Sequence, residues 1–457
     1  MKTKWTAWIK HTEVHFAAVG TLFGLLYLVV VPPFQVADED RHYFRAFQIA
    51  EGHFVSEVHE EAAGGWLPVS VAACGSSTNA MRWDLDVKTQ RQDIVKRLHD
   101  PLNVSERVFV GFRSASYSPI AYLPAAAAMR IGIGLKASPL LLMYAGRLAN
   151  LIVWLLLIFL AIRIVPLYKW VFFVLALTPM SLYQGASVSA DSVTNALAFL
   201  TLAVVVRQGC SETGPIHRKT IVLLVAMTTL LTMTKNILFL FCFLYFLIPV
   251  DRCGTRKRYF LLFLLLASIN LSALLIWHWL VGKLPIYWNV GVFPEQQAAY
   301  ILRHPFLYLC TLFDTVRHYF YSYYTGFIGA FGWRFFYLSK WHVRLWILLL
   351  LFVSLTEGRS DLCISRRQKG ILFSVCALTG VIIFTLLYLF WNPIGAERIQ
   401  GVQSRYFIPI APLFFLCLYN RRFGVDAPIK PAMISLATTV SLLIALSFIS
   451  QRFYETG

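Results

Sequence analysis

Charge is scarce in this chain of 457 residues: 14% are Asp, Glu, Lys or Arg and 58% are apolar, against roughly 25% charged in a soluble globular domain. That scarcity excludes a soluble enzyme of ordinary composition. Acids are fewer than bases, 23 against 41, and the +18 balance would suggest a nucleic-acid partner in a soluble protein. Here the basic residues sit in short linkers between apolar runs and nothing resembles a nucleic-acid module, so no nucleic acid is expected as a partner. A Gly-rich phosphate loop or dinucleotide fingerprint following a strand is lacking, so no nucleotide-binding loop is seen. Internal repeats and low-complexity segments are lacking as well, and with them the inverted-repeat signature of many transporters. Of eight cysteines only Cys74 falls in the long polar segment 32–118, so that segment cannot close a disulfide on itself.

What is present is a series of apolar runs about 15 to 25 residues long, the length of helices crossing a ~30 Å hydrocarbon core. The first runs from Val14 to Val31 behind Lys2, Lys4 and Lys10. Pro32-Pro33 stands where a signal-peptide cleavage site would lie, so the segment reads as a retained helix with its N-terminus inside. Residues 32–118 then form an outer loop with 12 acids against 9 basic residues, and the rest of the chain carries +21. The basic linkers 163–169, 207–219, 251–258, 357–369 and 420–430 all face inside if the stretches 119–135 and 305–324 lie along the outer face without crossing. The expected fold is an all-α polytopic membrane protein forming a single domain over residues 1–457. About eleven spans are expected: 14–31, 140–162, 170–187, 190–206, 220–234, 236–250, 259–281, 341–356, 370–391, 406–419 and 431–450. A second long outer loop covers 282–340.

Four polar groups fall at the outer ends of these spans. Asp38, Glu39 and Asp40 follow the first span, with Arg41 and His42 within one helical turn of Asp38; a carboxylate with adjacent donors results, or an acidic helix start. Asp191, in Ser189-Ala190-Asp191, either lines a wet cavity or caps the next helix. Lys235 splits an apolar stretch of about thirty residues, where it faces the outer turn or snorkels. Gln403, Arg405 and Tyr406 open a later span, Arg405 offering a planar fork for a phosphate or a lipid headgroup. A carboxylate, a lysine and an arginine on one face are the parts needed to deprotonate a hydroxyl and stabilise a departing phosphate.

Pro32-Pro33-Phe34-Gln35, Asp38-Glu39-x-x-His42, Ser118-Pro119-x-x-Tyr122-x-Pro124, Ser189-x-Asp191, Phe331-Gly332-Trp333 and Val402-Gln403-x-Arg405-Tyr406-Phe407-x-Pro409 occur in this order over residues 32–409. Together they resemble a bacterial family of membrane proteins of unknown function that is similar to the GT-C glycosyltransferases. Asp38-Glu39-x-x-His42 also resembles the Asp-Glu-x-x-His block of protein O-mannosyltransferases. The resemblance implies an inverting transferase of the bacterial cytoplasmic membrane, with its active site on the extracytoplasmic side. It would move a sugar from a polyprenyl-phosphate carrier to a glycan, lipid or polymer, working among membrane lipids. It implies Asp38 and Glu39 as catalytic residues, and Arg41, His42, Asp191, Lys235, Trp333, Gln403, Arg405 and Tyr406 as substrate contacts. Ser404 stands where the family usually has Gly. No cofactor is certain; Asp38, Glu39 and Asp191 could hold a divalent cation such as Mg or Mn, or none. The alternative reading is a polysaccharide or lipid transporter or flippase, and a third is an inert scaffold for envelope assembly.

The charge asymmetry predicts that a cysteine placed at Glu60 in a cysteine-free background reacts with an impermeant maleimide in intact cells, whereas one at Arg256 does not. Labelling at position 256 from outside would reverse the topology.

Overall fold

The computed structural model describes residues 11–285, 291–333, 336–358, 362–421, 423–425 and 427–455. Lys2, Lys4 and Lys10, which marked the inner terminus in the sequence, lie outside them. The described chain is mostly helical, and six of its helices are long and apolar enough to cross a membrane: Thr12–Val30, Pro139–Ile164, Ala190–Cys210, Arg256–Val281, Arg366–Trp391 and Lys430–Phe453. The other expected spans occur as shorter helices. Arg218–Thr234 and Lys340–Thr356 have 17 residues each, while Asn236–Leu247 is a tighter, 3₁₀-type helix. The segment expected to cross at 170–187 is broken in two, Lys169–Ala176 and Pro179–Gly185, almost all of it buried. Pro179 has no N–H to give and fits best in a first helical turn, where Thr178 caps it by accepting from Ser181 N at 3.2 Å.

Of the two stretches expected not to cross, 119–135 contains the 12-residue helix Leu123–Gly134, about 18 Å long and too short to span. The other is longer than expected, continuing as Pro305–Gly329. The expectation of an all-α chain needs correction in the long polar segment. Residues 32–118 hold a three-stranded antiparallel sheet in the order β1 (Glu57–His59), β2 (Ala62–Pro68), β3 (Arg107–Gly111). Period-2 patterning is weak over three such short strands, and β2 depends on Gly64 and Gly65. A Cβ at Gly64 would meet Val110 O at 1.9 Å, and one at Gly65 would meet the Gln48 amide at 2.5 Å.

The basic linkers gather at the end of the bundle away from this loop. Glu357 accepts the N–H groups of Trp170 and Val171 at 2.9 and 3.0 Å, and Lys430 donates to Thr356 O at 2.7 Å. Gln368 donates to Gly209 O and Leu247 O at 2.9 and 3.0 Å. Lys169 lies 4.0 Å from Glu13 at the start of the first helix. The last helix runs parallel to the first. Ser435 near its start bonds His15 at 2.8 Å, while Arg452 near its end donates to Met81 O, Asp84 O and Val87 O in the outer loop at 2.9 to 3.0 Å.

One buried ion pair holds the segment 32–118 to the bundle. Arg147, in the middle of an apolar helix, donates to both carboxylate oxygens of Glu39 at 2.8 and 2.6 Å. The same guanidinium donates to Leu28 O, Val31 O and Pro32 O at 3.1, 2.7 and 3.0 Å, the first two being carbonyls that the ending first helix leaves without partners. Glu39 also accepts the Val188 N–H at 3.1 Å. Neither side chain is exposed to solvent. Removing one partner of such a pair leaves an uncompensated buried charge and costs about 3–5 kcal/mol. Glu39→Gln and Arg147→Met are therefore each expected to lower the unfolding midpoint of the detergent-solubilised protein by several degrees. Midpoints equal to wild type would show the pair to be dispensable.

Candidate functional site

The chain leaves the first helix through Pro32-Pro33, which cannot continue it, and turns at Asp38, whose φ of 66° is left-handed. Aspartate tolerates that region better than most residues. Asp38 stands at the start of the helix Glu39–Ala50, but its carboxylate makes no capping bond. Arg405 donates through Nη2 to Asp38 Oδ2 at 2.7 Å and through Nη1 to Ala37 O at 2.8 Å. Arg41, one turn along, donates to Asp38 Oδ1 at 2.9 Å. Of the two acids that the family block pairs, Asp38 faces this cluster and Glu39 is committed to Arg147. Both oxygens of Glu39 are bonded in the core, so of the two expected catalytic carboxylates Asp38 alone faces the charged cluster.

Arg405 extends the cluster into the bundle. It opens the short helix Ser404–Ile410 and is buried; its Nε lies 3.6 Å from Asp191 Oδ2, too long for a hydrogen bond. That N–H is buried with no acceptor. Asp191 begins the helix Ala190–Cys210, where Ser189 supplies the cap by accepting from Asp191 N at 3.2 Å. The Asp191 carboxylate is thereby left for Lys235, whose Nζ donates to Oδ1 at 3.1 Å. Lys235 reaches it from the extended residue that joins Arg218–Thr234 to Asn236–Leu247. Its ammonium also lies over the Tyr406 ring, 4.5 Å from the centroid. The result is a row of alternating charge, Arg41, Asp38, Arg405, Asp191, Lys235, built from four separate stretches of chain.

The remaining expected contacts border this row. His42 bonds the Tyr122 hydroxyl through Nδ1 at 2.7 Å. Trp333 follows a short hairpin strand and lies under two guanidinium groups, Arg82 at 4.4 Å and Arg41 at 5.6 Å. Gln403 precedes the Arg405 helix and accepts the Tyr406 N–H through its carbonyl at 3.0 Å. The departure at Ser404 is absorbed by Gly326, where a Cβ would lie 2.5 Å from Ser404 Oγ. Asp40 pairs with Arg82 at 3.0 Å. Two surface cavities, one lined by Leu309, Phe313 and Asp314 and the other by Glu51, Phe54 and Arg130, lie away from the row.

Sequence reasoning missed Arg147, although a lone arginine in a lipid-facing span requires a partner and was therefore detectable. It also missed Arg113, whose guanidinium stacks on Trp391 at 4.3 Å and feels the charges of Arg41 and Asp38. An arginine in a long polar loop carries no local signal of that placement. The three acids considered as ligands of a divalent cation do not converge. Among the described residues no group of three or more His, Cys, Asp or Glu is placed to hold a metal ion.

Residues 21–414 match a family described as predicted membrane protein, DUF2142. The chain belongs to this family. No match is found among curated proteins or among solved structures.

Burial would raise the Asp38 carboxyl, but Arg405 and Arg41 beside it hold it below its ordinary value, so it is ionised at neutral pH. Burial lowers His42 to about 4 from 6.5, against the pull of Asp38 and Asp191, so its ring is neutral. Between those two values the unfolded chain binds a proton that the folded one does not, so stability is lost as pH falls from 6.5 toward 4. The loss amounts to about 3 kcal/mol at most. A His42→Gln variant is expected to lack that part of the pH dependence when midpoints are compared at pH 7 and pH 5. Equal slopes in the two proteins would show that His42 titrates normally.

Proposed function

We propose that this protein is an inverting glycosyltransferase of the GT-C type, with about eleven crossings, in the bacterial cytoplasmic membrane. Its active site would face the extracytoplasmic side, and its donor would be a sugar on a polyprenyl phosphate. The observation that carries the reading is the Arg405 guanidinium, shared between Asp38 and Asp191, with one N–H buried and unclaimed. A phosphate oxygen is the acceptor that such an N–H lacks, and a lipid-borne donor arrives sideways at the depth of these cations. First and last helices that run parallel are in keeping with an odd count such as eleven.

In this reading the donor phosphate lies on Arg405 and Lys235. Drawing Arg405 toward the phosphate weakens its hold on Asp38 Oδ2, which makes that carboxylate more basic at the moment it is needed. Asp38 accepts the proton of the acceptor hydroxyl while the oxygen attacks the anomeric carbon from the face opposite the phosphate. The bond between that carbon and the phosphate oxygen breaks, its electron pair leaves with the phosphate, and the configuration inverts. Arg405 and Lys235 stabilise the charge gained by the leaving group. Arg41 keeps the other Asp38 oxygen in place. The residues present serve this step as they stand, and none of its parts is assigned to a metal ion.

Removing a general base costs about 10²-fold to 10⁴-fold in rate, and losing one donor to a developing anion costs about 10²-fold to 10³-fold. Purified Asp38→Asn and Arg405→Met proteins, offered a lipid-phosphate sugar and an acceptor, are expected to lose turnover in those ranges. Wild-type turnover in a folded Asp38→Asn protein would remove the base. Movement of the sugar lipid across a vesicle without any transfer product would replace the transferase by a flippase.

A further inference from the structure

A second row of contacts leaves the charged cluster toward water. From Asp38 it passes to Arg41 at 2.9 Å, then to Trp333, whose ring centroid lies 5.6 Å from the Arg41 guanidinium carbon. The Trp83 ring follows, 5.7 Å from that of Trp333 and tilted to it by 50°. Trp83 is 67% exposed. We propose that Trp83 and Trp333, with Arg41 beside them, form an acceptor subsite that stacks a sugar ring of a glycan and presents its hydroxyl to Asp38. The transferase reading supplies what happens to that hydroxyl; the binding of the ring stands on the geometry alone.

An exposed tryptophan on a loose loop would mean little, but this loop is held on three sides. Arg452 donates to the carbonyls of Met81, Asp84 and Val87. Thr78 donates to Pro33 O at 2.8 Å, and Gln35 donates to Thr78 O at 3.2 Å. Arg82, the residue before Trp83, is buried against Asp40 and lies over the Trp333 ring. Trp333 is fixed in turn by its own N–H, which reaches Phe34 O at 3.4 Å, and by Gly332 N, which bonds the Tyr183 hydroxyl at 3.0 Å. The ordering cost of presenting both rings is met by the fold before a ligand arrives.

The chemistry of the patch selects among occupants. An aromatic face is negative and the C–H groups on one face of a pyranose are slightly positive, so the two stack. Hydroxyls around the ring then find a donor in Arg41, while Asp84 and Asp86, which follow Trp83 in the chain, are exposed carboxylates. The same two carboxylates disfavour an anionic leaflet, which would repel them. A neutral glycan meets both requirements.

The test uses the full chain in phosphatidylcholine nanodiscs. The probe is the oligosaccharide mixture released by mild acid from the envelope polysaccharide of the source cell, observed by saturation-transfer NMR. Sugar ring protons are expected to receive saturation from wild type and from Asp38→Asn. The effect should fall at least fivefold in Trp83→Ala and return in Trp83→Phe, which keeps an aromatic face. An equal effect in Trp83→Ala, or none in wild type, overturns the subsite. So does Trp83-dependent binding to phosphatidylglycerol vesicles without a sugar signal, which would assign the pair to the membrane surface. Trp83-dependent sugar binding in a protein that transfers nothing keeps the subsite and removes the transferase; transfer indifferent to Trp83 does the reverse.

Discussion

A guanidinium left alone in hydrocarbon is expensive, so the helix Pro139–Ile164 can carry Arg147 only because Glu39 and three backbone carbonyls surround it. The other features of this end of the bundle depend on that arrangement. The three carbonyls belong to the last turn of the first helix and to Pro32, so the same charge that is neutralised also fixes where the first crossing stops. Glu39 is the first residue of the following helix, and once it is bound in the core its neighbour Asp38 is set at the edge of the bundle with its carboxylate free to meet Arg405 and Arg41. Positive φ at Asp38 is the local strain of that turn, and its carboxylate there meets Arg405 and Arg41.

Alternating charges give the cluster its chemical character. Two carboxylates and three cations in one row leave it net positive by one, and the surroundings exclude much of the water that would screen them. Each carboxylate of the row has a second cation besides Arg405, Arg41 for Asp38 and Lys235 for Asp191, so neither ion depends on Arg405 alone. The short helices contribute to this. Arg405 and Lys235 both stand where a helix begins or ends rather than in mid-helix, and irregular backbone at such depth is tolerated only where protein or a polar cavity surrounds it.

Much of this was legible in the sequence, for a local reason. Whether twenty residues can cross a bilayer depends on those residues alone, so the long helices fall where the apolar runs lie, whereas the break before Pro179 went unread within the expected span 170–187. Asp38, Arg41, Asp191, Lys235 and Arg405 were visible as costly polar groups at the ends of apolar segments. The small sheet was not legible, because β2 and β3 pair across an interval of some forty residues and each strand is too short to show its own period.

Partner choice belongs to the tertiary structure. Asp38 and Glu39 are neighbours of the same chemistry, about 100° apart around a helix start, and nothing within the acidic block says which of them will be buried. Arg147, more than a hundred residues away, decides it by taking Glu39. Arg405 then takes Asp38 from still farther along the chain, and Trp83 meets Trp333 across some 250 residues. The sequence determined which polar groups had to be compensated, because the cost of an unpaired charge is a property of the group. Only the fold decided which charge compensates which, because that depends on distances between segments that no local pattern records.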